Sequence, residues 1–310
     1  MKVTLFGGGG FIGSAIVDRL LSDGHALRIF ERPRVIPYRD FLPHEQVEWM
    51  AGDILSIHDL GQALIGADAV IHLVSTTLPK TSNDDPIYDV QSNIVGTLQM
   101  LNGMIAHKVP RMVFISSGGT VYGKPKYLPI DESHSTEPQV SYGITKLAIE
   151  KYVLMYERLH GIRAVILRVA NPYGERQRIE TAQGVVGAFL HRALKGQPIE
   201  IWGDGSVTRD FLHVSDVAEA FAKAISYSGH HKIFNIGSGF GVSLNRLVEI
   251  MEKTLGMALV RDYKSARAFD VPVSVLCNQL AQTELGWIPS VDLEVGIART
   301  AEWMRRNTGA

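Results

Sequence analysis

The sequence predicts a doubly wound parallel α/β sheet, to which the second half of the chain adds a smaller α/β unit. Two observations lead to this fold class: short β-branched runs alternate with longer amphipathic stretches in the first half, and this rhythm loosens after Asn171. Parallel strands need crossover connections, and helices supply them on both faces of a sheet. A chain of 310 residues is long enough to bury both units without disulfides.

The main sheet is expected from short runs of apolar and β-branched residues. In chain order the predicted strands are Val3–Phe6, Ala26–Phe30, Val47–Met50, Ala69–Leu73, Arg111–Ile115 and Arg163–Val169. Apolar residues at helical spacing predict helices over Ile12–Ser22, Ile87–His107 and Ser141–His160. We therefore expect residues 1–170 to form the first domain.

The second half is expected to form a smaller cap domain. Its predicted helices are Gln183–Leu194, Asp216–Ser226 and Leu244–Leu255, and its predicted strands are Ile199–Trp202 and Ile233–Ile236. Residues 171–206 and 241–310 are assigned to the cap, which we expect to bind the substrate. Residues 207–240 are expected to return to the main sheet.

Charge and composition exclude several classes of protein. The chain has 31 Lys+Arg against 32 Asp+Glu and a net charge of −1, so it lacks the basic field that nucleic-acid binding needs. Its single cysteine, Cys277, and its scattered histidines match no metal motif, which predicts no metal site and a reducing compartment. No apolar run approaches the ~20 residues of a membrane helix, and no leader is recognised, so a soluble, cytoplasmic protein is expected.

A glycine-rich turn lies between the first predicted strand and the first predicted helix. Gly7, Gly10 and Gly13 have the spacing GxxGxxG, and with Phe11 and Ile12 they are the predicted cofactor-binding residues of this turn, before the helix predicted from Ile12. Glycines allow the backbone to approach a pyrophosphate closely, and the helix N-terminus offers free N–H groups and a positive dipole to its charge. In this strand-turn-helix context the pattern predicts a dinucleotide site.

Acidic residues after the next strands predict which dinucleotide is bound. Glu31 lies 18 residues after Gly13, where a carboxylate accepts hydrogen bonds from the adenosine ribose and repels the extra phosphate of NADP. NAD is therefore the expected cofactor. NADP remains an alternative, because the basic side chains of Arg32 and Arg34 could bind its extra phosphate. Asp53 either binds the adenine amino group or caps the next turn.

Tyr142 and Lys146 are four residues apart on a predicted helix, so their side chains share one face. A cation near a phenol favours the phenolate, and the spacing predicts that Lys146 lowers the pKa of Tyr142 toward the working range. Tyr142 can then act as a general base toward a sugar hydroxyl.

These motifs together resemble the extended short-chain dehydrogenase/reductase family, and within it the UDP-glucose 4-epimerase group. The resemblance also rests on Gly52-Asp53, Asn93–Thr97, Ser116–Gly123, Leu167-Arg168, Asn171–Gly174, Gly203–Gly205, Arg209–Phe211, His213-Val214, Asn235–Gly237, Leu285–Trp287 and Pro289. It implies a Rossmann domain with bound NAD, redox-neutral 4-epimerisation of a UDP-sugar, a role in polysaccharide biosynthesis, and a homodimer formed through the two long helices. It also implies that Ile54, Leu73, Val74, Asn93 and Ser116 contact the cofactor.

In such enzymes the Tyr is the base, the Lys binds the nicotinamide ribose, and a Ser or Thr hydrogen-bonds the reacting hydroxyl. This chain has Gly118 at the usual Ser/Thr position, so the hydroxyl is expected from Ser117 or Thr120, with a preference for Thr120. Sugar dehydratases of the family carry an acidic pair where Gly119 and Thr120 stand, which makes dehydration an unlikely activity for this chain.

The resemblance also implies the substrate side. Arg209 and Arg267 match positions that hold the diphosphate, Asn171 matches a residue near the sugar or phosphate, and Thr120 and Tyr142 are expected to touch the sugar. The small Ser274 occupies a position where a bulky Tyr restricts relatives to plain hexoses, so UDP-N-acetylhexosamines are expected beside or instead of UDP-glucose and UDP-galactose. A 4-keto nucleotide-sugar reductase, a UDP-uronate 4-epimerase and a dinucleotide-sensing regulator remain as alternatives.

Overall fold

The computed structural model describes residues 1–77, 81–177, 184–266 and 271–307. Thirteen strands lie in this part of the chain: β1 Lys2–Phe6, β2 Ala26–Glu31, β3 Val47–Ala51, β4 Ala69–His72, β5 Arg111–Ser117, β6 Arg163–Val169, β7 Asn171–Tyr173, β8 Ile199–Trp202, β9 Thr208–His213, β10 Ile233–Ile236, β11 Gly241–Ser243, β12 Arg261–Lys264 and β13 Val273–Ser274. The α-helices are α1 Phe11–Ser22, α2 Ile57–Leu64, α3 Pro86–Asp89, α4 Gly96–Ala106, α5 Ser141–His160, α6 Val185–Leu194, α7 Val214–Ser226, α8 Leu244–Leu255, α9 Gln279–Glu284 and α10 Leu293–Asn307.

The main sheet has seven parallel strands in the order β10-β6-β5-β4-β1-β2-β3. The predicted doubly wound parallel fold is confirmed. Alternate side chains of each strand enter two different cores, as a pleated strand with both faces covered requires. On β5, for example, Val113 packs in the core that includes α1 and α7, whereas Phe114 packs in the core that includes α4 and α5.

The second half of the chain builds two smaller sheets and also returns to the main sheet. Strands β11, β9 and β13 form one small sheet, which β7 extends through its pairing with β9, and β12 pairs with β8. Helix α7 packs on α1, and β10 pairs with β6. Within residues 207–240, α7 and β10 thus join the main sheet and its covering helices, whereas Thr208–His213 is hydrogen-bonded into the small sheet.

The predicted helix Ile87–His107 is a composite. It begins as α3, passes through a π-helical stretch at Val90–Val95 and continues as α4. Such stretches are frequent at functional sites. The predicted helix Gln183–Leu194 begins at Val185, and Gln183 lies outside the described residues.

Within the described ranges, no helix is long and apolar enough to cross a membrane. The same residues contain no group of three or more His, Cys, Asp and Glu side chains that could hold a metal ion.

Candidate active site

The glycine turn joins β1 to α1 with the geometry that close approach to a phosphate requires. Gly7 has φ +91°, which L side chains rarely adopt, and a Cβ added to Gly13 would lie 2.2 Å from the Gly7 carbonyl oxygen. Gly10 caps α1 and has no side chain to bond the N–H groups of the first turn. These groups can therefore bind an anion, so the turn fits the pyrophosphate of a dinucleotide.

Glu31 ends β2 beside this turn, as the ribose-binding prediction requires. Its Oε1 accepts a hydrogen bond from the Gly9 N–H at 2.8 Å. Burial raises the pKa of Glu31, and the Gly9 bond and the charge of Arg32 partly oppose that shift. Arg32 itself is exposed, next to this carboxylate.

The other predicted adenosine-side residues differ in what they can offer a cofactor. Asp53 Oδ1 accepts the Leu55 N–H at 2.9 Å, so this carboxylate caps a turn, one of the two roles considered for it. The Ile54 side chain is in the core and would contact a Cβ on Gly96 at 3.1 Å, which leaves only its backbone for a ligand.

The ends of β4 and β5 bring further residues of the site to the edge of the sheet where the glycine turn follows β1. Leu73 and Val74 follow β4 and would lie 3.3 Å from a Cβ on Gly7. Ser117 ends β5, the next strand along the sheet. The carboxyl edge of an open parallel sheet is where such folds bind ligands.

Tyr142 and Lys146 lie on α5 next to this edge. The Lys146 ammonium donates to the Ile115 carbonyl at 3.1 Å and lies 5.7 Å from the centre of the Tyr142 ring. It also lies 4.9 Å from the centre of the Phe114 ring. Burial lowers the pKa of Lys146 to about 8, against the opposing charges of Asp89 and Glu150.

The predicted direction of the Tyr142 pKa shift is wrong for the chain alone. Burial raises this pKa to about 12, and the negative charge of Asp89 adds to the shift. Burial penalises the phenolate more than a single cation at this distance can offset. The i to i+4 spacing correctly predicts that the two side chains lie close together. It does not indicate how deeply they are buried.

The three hydroxyls near the end of β5 have different environments. Ser116 is buried and donates to the Glu150 carboxylate, so its hydroxyl proton is already engaged. Thr120 Oγ1 is also buried, without a hydrogen-bond partner in the described chain. Ser117 is half-buried, and its hydroxyl is neither buried nor hydrogen-bonded to any described residue. Accessibility therefore favours Ser117 over Thr120, the reverse of the preference drawn from the sequence.

Gly118 lacks a side chain because Leu276 fills the space. A Cβ added at Gly118 would lie 2.5 Å from Leu276 Cδ1 and 3.1 Å from the Arg168 carbonyl oxygen. Leu276 is itself buried, so it has little room to withdraw. A hydroxyl-bearing residue at position 118 would thus require Leu276 to move, a contact that the sequence analysis missed.

Three of the predicted substrate residues, Asn171, Arg209 and Ser274, lie on the small sheet of the cap. Asn171 Nδ2 donates to the Asp210 carbonyl at 3.0 Å, and Arg209 Nη1 donates to the Val271 carbonyl at 2.6 Å. Ser274 is directly paired with Arg209 between β13 and β9. Arg267 lies outside the described residues.

The sequence analysis missed the buried carboxylates of Glu150 and Asp89, which lie beside the catalytic pair. Glu150 forms an ion pair with Arg168 at 2.6 Å, and both side chains are buried. Asp89 is buried at the end of α3 and accepts from Asn93, one of the predicted cofactor residues, as well as from the start of α5. Both acids lie within helix-forming stretches, where an acidic residue is usually solvated, so no local signal marks them.

Known proteins similar to this chain agree with the geometry. The profile of the NAD dependent epimerase/dehydratase family matches residues 3–237. UDP-glucose 4-epimerase of Mycolicibacterium smegmatis is 34% identical over 312 residues, which cover 99% of this chain and 100% of that protein.

Two solved structures extend the similarity to the fold. UDP-glucose 4-epimerase of Thermotoga maritima, solved with UDP-glucose, is 32% identical with a TM-score of 0.94 and covers 99% of this chain and 100% of its own. UDP-N-acetylglucosamine 4-epimerase of Methanobrevibacter ruminantium, in complex with UDP-N-acetylmuramic acid, is 27% identical with a TM-score of 0.92 and covers 98% of each chain. The chain belongs to the NAD-dependent epimerase/dehydratase family.

Proposed function

We propose that this chain catalyses the NAD-dependent 4-epimerisation of a UDP-hexose through a transient 4-keto sugar. The observation that carries the proposal is the Tyr142/Lys146 pair on α5, beside the sheet edge where the glycine turn lies. A phenol and an ammonium at that edge form a general base next to a dinucleotide site.

Tyr142 accepts the proton of the 4-hydroxyl when the sugar is oxidised at C4 and returns a proton when it is reduced. NAD, when bound, takes up and gives back the hydride and supplies the positive charge of its oxidised ring. Lys146 stabilises the phenolate through its charge at 5.7 Å from the ring centre. Arg209 and Arg267 hold the diphosphate while the hexose turns to offer its opposite face.

Ser117 is the hydroxyl that we propose to hydrogen-bond the reacting group. Gly118 offers no hydroxyl and is packed against Leu276, and Thr120 Oγ1 is buried. Of the nearby hydroxyls, Ser117 alone combines accessibility with freedom from other described partners.

UDP-N-acetylglucosamine and UDP-N-acetylgalactosamine are the proposed substrates, with UDP-glucose and UDP-galactose beside them. Ser274 is small and is paired with Arg209, which we propose to bind the diphosphate. A bulkier side chain at position 274 would leave less space for the sugar beside that arginine. The similarity to a UDP-N-acetylglucosamine 4-epimerase supports the same substrate class.

The function is tested by incubating the protein separately with UDP-N-acetylglucosamine and UDP-glucose, without reductant, while proton NMR follows the anomeric signals. We expect the galacto epimer to appear from UDP-N-acetylglucosamine at a rate at least equal to that from UDP-glucose. Consumption of NADPH with a 4-keto nucleotide sugar would indicate a reductase instead. Conversion of UDP-glucuronate alone would indicate a uronate epimerase, and NAD binding without any conversion a regulator.

We also propose that the chain forms a homodimer through the face built by α3, the π-helical stretch and α5. Large apolar side chains are exposed on these elements: Ile87, Tyr88, Val90, Val95, Ile144 and Tyr152. Both α3 and the π-helical stretch contact α5, so these exposed apolar side chains lie on neighbouring elements. Such clusters of exposed apolar side chains are typical of interfaces. Light scattering should give twice the mass of one chain, and the mass of a single chain would contradict the proposal.

A further inference from the structure

Asp89 is a buried carboxylate to which the proposed mechanism gives no role. It lies at the end of α3, with no exposed surface. Four side chains donate to it: Thr77 Oγ1 at 2.5 Å, Asn93 Nδ2 at 2.9 Å, Ser141 Oγ at 2.7 Å and Thr145 Oγ1 at 2.8 Å. A buried carboxylate with this many donors is held in one place, and it holds its donors in return.

One oxygen of Asp89 binds the helix that carries the catalytic pair. Oδ2 accepts from Ser141 and Thr145, which are four residues apart on α5. Each of these donors directly precedes a member of the pair, Tyr142 or Lys146. Ser141 and Thr145 share one face of α5, and Tyr142 and Lys146 share the adjoining face. Hydrogen bonds that hold Ser141 and Thr145 therefore also fix the rotation of α5 about its axis.

The other oxygen binds the cofactor side of the site. Oδ1 accepts from Thr77 and from Asn93, and Asn93 Oδ1 in turn accepts the Thr76 N–H at 3.0 Å. Thr76 and Thr77 belong to the segment that follows β4, two residues after Val74. A single carboxylate therefore connects the catalytic helix to the loop beside the glycine turn.

The start of α5 depends on this neighbouring segment in a second way. Its N-cap residue, Val140, has no side chain that can bond the first N–H groups. Asn83 Oδ1 accepts the Ser141 N–H at 2.9 Å and Ser82 Oγ accepts the Tyr142 N–H at 3.0 Å. The segment that leads into α3 thus caps α5 from outside.

From these contacts we infer that Asp89 is the positioning residue of the catalytic pair, holding Tyr142 and Lys146 at a set distance from the cofactor-side loop. The role of Asp89 in catalysis rests on the proposed function. The contacts of Asp89 with α5 and with the loop after β4 do not depend on that function.

The charge of Asp89 affects the pKa values of the catalytic pair, which can be measured separately from the stability of the fold. Asp89 raises the pKa of both Tyr142 and Lys146. The other ionisable groups facing the pair are Glu150, which is paired with Arg168, and His72 on β4, whose pKa burial lowers to about 3. Removing the negative charge of Asp89 should therefore lower the pKa of Tyr142, and Thr145→Val, which keeps that charge but loses a bond to Asp89, separates this effect from a loss of packing.

The test uses NAD-loaded protein with ¹³Cζ-labelled tyrosine, in which the Tyr142 signal is assigned with Tyr142→Phe. In Asp89→Asn we expect the Tyr142 titration to move to lower pH, kcat to fall about tenfold, and KM to stay within about twofold. Thr145→Val, which keeps the charge but loses one bond, should lower kcat without changing the titration, and Thr145→Ser should restore kcat.

An unchanged Tyr142 titration in Asp89→Asn, or wild-type kcat in folded Thr145→Val, would overturn the inference. If Asp89→Asn does not fold, the Thr145 pair still decides the matter. The NMR titration needs no turnover, so a wild-type protein that converts no UDP-sugar would refute the proposed function and leave this measurement valid. In that event the Tyr142 titration should still move to lower pH in Asp89→Asn and stay unchanged in Thr145→Val.

Discussion

Replacing Tyr142 by Phe should lower turnover by roughly 10²- to 10⁴-fold, the range that a positioned general acid–base group contributes. The ring remains, so packing on α5 and binding of NAD should be unchanged. Turnover is measured by the appearance of the epimer in proton NMR, and NAD occupancy by release of the cofactor on denaturation.

Tyr156→Phe is the matched control, because it makes the same chemical change on the same helix. It loses only the hydrogen bond from the Tyr156 hydroxyl to Asn102 at 2.7 Å and should retain activity. Near-normal turnover in Tyr142→Phe would remove Tyr142 from the mechanism.

Replacing Glu150 by Ala should destabilise the fold by about 3–5 kcal/mol, the cost of leaving a buried charge without its partner. Arg168 donates to both oxygens of Glu150, from Nε at 3.0 Å and from Nη2 at 2.6 Å, and neither side chain reaches solvent appreciably. Without Glu150, Arg168 keeps only the Tyr122 hydroxyl among its described side-chain partners. The free energy of unfolding is measured by urea titration.

The exposed pair Lys126–Glu137 is the control for this measurement. Its side chains are 61% and 58% exposed, so Glu137→Ala should change the free energy of unfolding little. If Glu150→Ala cost no more than Glu137→Ala, the buried pair would not stabilise the fold as argued.

The main elements could be predicted because local patterns determine them. Helix α5 and strand β6 have the bounds predicted from periodicity, and the glycine turn joins β1 to α1 where the motif places it. The Tyr142/Lys146 contact also follows from spacing alone, since both residues lie on one helix.

What could not be predicted depends on contacts between distant parts of the chain. Leu276 occupies the space beside Gly118 from 158 residues away, and no local pattern reveals it. Asp89 is in a short helix with exposed neighbours and looks solvated in the sequence, yet Ser141 and Thr145 of α5 bury it. The direction of the Tyr142 pKa shift was missed for the same reason, because burial is a property of the whole fold.

The most direct test of redox-neutral epimerisation is the fate of a deuterium label at C4 of the UDP-hexose. UDP-N-acetylglucosamine deuterated at C4 is incubated with the protein in ordinary water without added reductant, and the product is analysed by proton NMR and mass spectrometry. If NAD takes up and returns the hydride within one turnover, the galacto epimer keeps its deuterium at C4. Loss of the label to solvent, or a requirement for added NADPH, would contradict the mechanism.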